Sequence, residues 1–184
     1  EMCIRDSTDG PPEVLEAAID AIRSGVNQYP PGLGAPVLRT AIATHQRDWY
    51  DVELDPDTEV VVTAGATEAL AGALLGMLDA GDEVVVFEPM YDSYQACIAL
   101  ADAVAVPVLL SPQADGTYGF DADELRRAVT PRTKLILLNT PHNPTGKVFD
   151  AAELSLIASI AVDHDLIVVT DEVYEHLLFD GRPH

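Results

Sequence analysis

Basic residues are scarce in this chain. Ten Lys and Arg stand against 31 Asp and Glu, giving a formal net charge of −21. Binding a nucleic-acid backbone or an anionic membrane needs clustered cations, so neither is expected as a partner. A small anion stays possible, because backbone N–H groups at a helix start supply a positive field without a cationic side chain. Cysteine is nearly absent. Cys3 and Cys97 form no C-x-x-C pair and no metal spacing, so no metal site is expected and a reducing, cytoplasmic setting is the default. No apolar run reaches the roughly 18 residues of a transmembrane helix. Residues 1–7 lack the apolar stretch of a signal peptide. They also match nothing that follows, and residues 1–8 read as a non-native lead-in.

What is present is apolar material in a regular rhythm. Hydrophobic residues make up 48% of the chain, enough for a real core. Pro11-Pro12-Glu13 opens a helix, with proline in its first turn and an acid near its start. Val14, Leu15, Ala18, Ile19 and Ile22 fall on one face, and Gly25 is the stop. A Pro/Gly-rich loop follows, Asn27-Gln28-Tyr29-Pro30-Pro31-Gly32-Leu33-Gly34, and then a second helix over about 35–50. Residues 9–55 form this helical segment and loop.

From residue 56 onwards short apolar runs alternate with helical patterns. The runs are 60–63, 83–87, 104–108, 134–138 and 166–170, with helices expected near 67–78, 91–101, 121–129 and 151–163. Unbroken Val, Ile and Leu runs describe strands buried on both faces. Alternation with helices implies right-handed crossovers, hence an α/β fold with a mainly parallel sheet and helices on both faces.

Open α/β sheets bind ligands beyond the carboxyl ends of their strands. Four segments follow such runs. Gly65-Ala66-Thr67-Glu68-Ala69 reads as a phosphate cradle at a helix start, or as an ordinary turn with a threonine N-cap. Glu88-Pro89-Met90-Tyr91-Asp92-Ser93-Tyr94 places an aromatic that covers a planar ligand or packs in the core. Asn139-Thr140-Pro141-His142-Asn143-Pro144-Thr145-Gly146 is a rigid loop holding Asn139 and Asn143 at a strand end. Asp171, Glu172 and Tyr174 come last. An acid there is costly to bury unless paired, with a cationic ligand nitrogen as one partner and a helix N-cap role as the alternative.

Taken together with Asn27-Gln28-Tyr29 and Thr170-Asp171-Glu172-Val173-Tyr174, these segments resemble, in order and spacing, the fold-type I pyridoxal-phosphate (PLP) aminotransferases of class I/II. The resemblance covers residues 9–184 and is nearest to kynurenine, methionine and succinyldiaminopimelate aminotransferases. It implies amino transfer between an amino acid and a 2-oxo acid, with pyridoxal 5′-phosphate as cofactor. Residues 56–184 are then a partial cofactor-binding large domain. Ala66 and Thr67 would hold the phosphate and Tyr91 would stack on the ring. Asn143 and Tyr174 would meet the phenolic oxygen, with Asn143 also facing substrate. Asp171 would pair with the ring nitrogen. Tyr29 would reach the neighbouring subunit's phosphate, which implies a homodimer for the full-length protein. Asp171 and Tyr174 are thus the catalytic candidates.

The resemblance also implies a Schiff-base lysine a few dozen residues beyond the Asp171 position. The chain's lysines, Lys134 and Lys147, do not match it. The 184 residues therefore read as an N-terminal fragment, incomplete at the C-terminus and inactive alone. A C–S β-lyase of the same fold is a second reading, and a non-catalytic sensor domain of that fold is a third.

Overall fold

The computed structural model describes residues 10–179 and 181–183, so the expected lead-in at 1–8 lies outside it. The chain divides into two compact units, Glu1–Val62 and Thr63–His184.

In the first unit, α1 (Pro12–Arg23) starts on the expected prolines and α2 (Pro36–Tyr50) follows the Pro/Gly loop. The apolar stripe of α1 is present but uncovered, since none of its residues is buried. Arg39 of α2 is buried. It donates to the Pro56 carbonyl and pairs with Asp57 at 3.1 Å, tying the 55–57 turn to the helix. Gly34 is required twice over. Its φ is +96°, and a Cβ there would sit 2.5 Å from Val62 Cβ.

The second unit carries a four-stranded parallel sheet in the order β2-β1-β5-β6. The strands are β1 (Glu83–Glu88), β2 (Val104–Leu109), β5 (Thr133–Asn139) and β6 (Ile167–Asp171). Between β2 and β5 lies a small antiparallel hairpin, β3 (Ser111–Pro112) and β4 (Tyr118–Gly119). The helices are α3 (Ala66–Met77), α4 (Asp92–Leu100), α5 (Ala122–Ala128) and α6 (Ala151–Asp163). Asp121 caps α5 with its side chain, and Asp150 and Glu153 close a reciprocal capping box on α6.

The period of two along the central strands builds two cores. Val84, Val86, Leu135 and Leu137 meet α3 and α4 through Leu70, Leu74, Tyr94 and Ile98. Val85, Phe87, Ile136 and Leu138 meet α5 and α6 through Leu125, Ile157 and Ile160. Helices therefore cover both faces, as the unbroken apolar runs require.

One expected strand is absent. Residues 60–63 form no strand and join no ladder among the described residues; Val62 N–H donates once, to the Leu33 carbonyl at 3.0 Å. A β-branched run favours extension, but a strand also needs a paired neighbour.

No helix among the described residues is long and apolar enough to cross a membrane.

Candidate active site

Three expected site segments leave the carboxyl ends of adjacent parallel strands, at the point where chain order departs from β1 in opposite directions. Asn139 ends β5 and Asp171 ends β6, in register with one another. Their pairing extends beyond the ladder. Asn139 Nδ2 donates to the Asp171 carbonyl at 2.8 Å, and the Thr140 N–H donates to the same oxygen at 3.1 Å. Asn139 Oδ1 in turn accepts the Asn143 N–H at 2.6 Å. One buried amide thereby fixes the start of the Asn143 loop against the end of β6. Asn143 is held through its backbone, which leaves its side-chain amide free of the loop's own hydrogen bonds.

The Asp171 carboxylate is half-buried. Its Oδ2 accepts the Tyr94 hydroxyl at 2.6 Å and its Oδ1 accepts the Val173 N–H at 3.2 Å. Among the described residues no cationic side chain pairs with it. Tyr94 is 3% exposed, and its pKa is pushed well above the ordinary phenol value. Burial is the main cause, followed by the Asp171 hydrogen bond and then by the nearby Tyr91 and Tyr174. The Tyr91 ring stands edge-on to Tyr94 at 5.9 Å. Tyr91, Tyr174 and Asp171 thus converge on Tyr94.

Asn143 and Tyr174 line a cavity of about 430 Å³ with Pro141, His142 and Leu177. That volume suits a small planar ligand. A larger hollow of about 760 Å³ lies between the β3–β4 hairpin and α6. It includes neither Asn143, Tyr174 nor Asp171.

Gly65, Ala66 and Thr67 form the start of α3. Gly65 takes φ +88° and ψ 170°, an orientation open to glycine alone. No side chain caps this helix, so the N–H groups of its first turn face outward from exposed Ala66 and Thr67. Neither cavity includes these two residues. The Gly65 turn also follows no sheet strand, contrary to the pattern of the 60–63 run. Tyr29 lies in the other unit and is 99% exposed.

Neither lysine is available at the site. Lys134 is exposed at the amino end of β5. The Lys147 side chain is 7% exposed and occupied: Nζ donates to Glu153 Oε1 at 2.7 Å and to the Tyr118 carbonyl at 2.8 Å, over the Phe149 ring.

Tyr94, Asn139 and His142 lie within the sequence motifs, which by themselves assign them no role. Tyr94 sits three residues after Tyr91 on the face of α4 that meets the sheet, a spacing that places it inward. His142 is 3% exposed, with Nδ1 2.8 Å from Thr145 Oγ1.

The model of the family "Aminotransferase class I and II" matches residues 2–183. A "probable N-succinyldiaminopimelate aminotransferase" of Mycobacterium tuberculosis is 57% identical over 176 residues, covering 96% of this chain and 44% of that protein. The methionine aminotransferase of Escherichia coli is 38% identical, covering 96% and 45%. The solved structure of the M. tuberculosis N-succinyldiaminopimelate aminotransferase superposes with a TM-score of 0.93 at 56% identity, covering 96% of this chain and 46% of that one. The chain thus spans less than half the length of the relatives it matches. That structure carries the fold of type I PLP enzymes, and this one shares it. The chain belongs to the class I and II aminotransferase family, whose cofactor is pyridoxal 5′-phosphate.

Proposed function

We propose that this chain supplies the cofactor floor of an aminotransferase that moves an amino group between an amino acid and a 2-oxo acid. The observation that carries the reading is Asp171. It is a carboxylate at the carboxyl edge of a parallel sheet, oriented by Tyr94 and Val173 and with no cationic partner among the described residues.

The residues suit the cofactor's chemical groups. A phosphate dianion suits the uncapped first turn of α3, where Ala66 and Thr67 offer N–H groups and a hydroxyl. Tyr91 offers an aromatic face for a pyridine ring. The Asn143 amide and the Tyr174 hydroxyl offer hydrogen bonds to a phenolic oxygen. Asp171 offers an anion to a ring nitrogen, and a nearby anion raises the pKa of that nitrogen and keeps it protonated. When bound, the cofactor supplies an electron sink for the substrate's α-carbon. Asn143, beside the same cavity, also faces substrate.

The Schiff-base lysine of this chemistry is not among the 184 residues, because Lys134 and Lys147 are placed elsewhere. The 184 residues alone are therefore inactive in transamination. Tyr29 reaches the phosphate site of a second subunit in a homodimer. Its nearly complete exposure supports that. A cytoplasmic setting accords with the low cysteine content. The β-lyase and sensor readings gain nothing from the relatives above, which are aminotransferases.

Steady-state amino transfer by the protein carrying the lysine tests the reading. Asp171→Ala is expected to lower kcat by about 100-fold or more. Unchanged turnover would sink it.

A further inference from the structure

The Asn143 loop and Asp171 leave neighbouring strand ends, and the paired register of β5 and β6 stops at Asn139 and Asp171. Beyond it the Thr140 N–H still reaches the Asp171 carbonyl at 3.1 Å. A buried side chain carries the connection on to the loop. Asn139 is 2% exposed. Its Nδ2 donates to the Asp171 carbonyl at 2.8 Å, across 32 residues of sequence, and its Oδ1 accepts the Asn143 N–H at 2.6 Å.

The residue type fits this double task. A carbonyl only accepts and an N–H only donates, so the amide satisfies both neighbours in one orientation. Leucine has nearly the same shape and neither polar group. An ionised aspartate has the acceptor and no donor. The flanking loop positions do not supply the same link. Pro141 and Pro144 have no N–H. The His142 N–H and the Gly146 N–H close within the loop, on the Lys147 carbonyl at 2.8 Å and the His142 carbonyl at 2.7 Å. Asn143 thus takes its main-chain tie to the strand end from Asn139.

The two ends of this bridge are residues read above as meeting different atoms of one ring, Asp171 its nitrogen and Asn143 its phenolic oxygen. A pyridine ring is rigid, so those atoms stand at a fixed separation. Groups that bind both must match it to within about 0.5 Å. We propose that Asn139 is a positioning residue that sets the spacing between Asn143 and Asp171 to suit one ring. The proposal rests on the reading of Asn143 and Asp171 as cofactor contacts. Asn139 acts through these two neighbours and carries out no chemistry of its own.

Equilibrium dialysis of the protein against pyridoxal phosphate, below the melting temperature of every variant, tests it in a double-mutant cycle. Asn143→Ala and Asn139→Leu are each expected to weaken binding about tenfold. The two effects should not add. Without Asn139 the Asn143 amide is out of place, so Asn143→Ala in the Asn139→Leu background should cost less than about threefold. A merely structural Asn139 would leave the full effect of Asn143→Ala intact. That result overturns the proposal, as does Asn139→Leu binding like wild type. Asn143→Ala binding like wild type is a different failure, in which the cofactor reading of Asn143 itself falls. Should Asn139→Leu not fold, Asn139→Asp keeps the shape and the Asn143 end and loses the donor to Asp171. The same non-additivity is expected of it, and additive effects overturn the proposal.

Discussion

The Tyr94 hydroxyl donates a 2.6 Å hydrogen bond to Asp171 Oδ2, joining residues 77 apart in sequence. It links α4 to the end of β6 and orients the carboxylate on which the proposed chemistry rests. Tyr94→Phe is expected to destabilise the protein by about 2 kcal/mol in denaturant unfolding at neutral pH, the scale of a hydrogen bond to a charged group. The pH dependence has a definite sign. The folded state holds the Tyr94 proton more tightly than the unfolded chain, whose value is near 10.0. That stability is fully present below pH of about 10 and is lost as pH rises above it. Wild type should therefore lose stability more steeply in alkali than Tyr94→Phe. Parallel curves would contradict the bond.

Gly65→Ala tests the start of α3. A Cβ there meets nothing within 4 Å, so the cost lies in the backbone alone. With φ +88° and ψ 170°, an alanine is expected to cost about 1–3 kcal/mol, or to shift the first turn of α3 and weaken phosphate binding. Denaturant melts and pyridoxal-phosphate dialysis read the two outcomes. A variant unchanged in both would remove the cradle from the account.

At the opposite end of the sheet, buried Glu83 accepts from Thr130 and pairs with Arg132. The Thr130 hydrogen bond is the main cause of its lowered pKa. Burial opposes it, and Arg132 adds to it. A depressed folded pKa gives stability that is present above the ordinary value of 4.5 and lost as pH falls through the folded one. Glu83→Gln should flatten the loss of stability on acidification below pH of about 5. An acid limb as steep as wild type's would refute this.

Lys147 is expected to be structural. Lys147→Met removes the cationic partner of Glu153 and should cost about 2 kcal/mol. Borohydride reduction of the chain with pyridoxal phosphate, followed by peptide mapping, should leave the buried Lys147 unlabelled. A modified peptide at Lys147 would reverse that assignment.

The parts of the fold legible in sequence were those whose burial leaves a local pattern. Val84–Val86 and Leu135–Leu138 are buried on both faces and read as unbroken apolar runs. The 60–63 run carries the same composition without a ladder, because pairing depends on neighbours that composition does not encode. The β3–β4 hairpin is illegible in sequence because two-residue strands are too short to show a period. In the site, Asp171 and Asn143 stood out as polar residues at strand ends. Tyr94 and His142 did not. Tyr94's partner is remote in sequence, and a buried histidine looks the same in sequence as an exposed one.

The central claim is that Asp171 holds a protonated ring nitrogen. The most direct test is the 15N chemical shift of pyridoxal phosphate labelled at that nitrogen, bound to wild type and to Asp171→Asn at neutral pH. The account predicts the shift of a protonated nitrogen in wild type and of an unprotonated one in Asp171→Asn. The same shift in both proteins would contradict it.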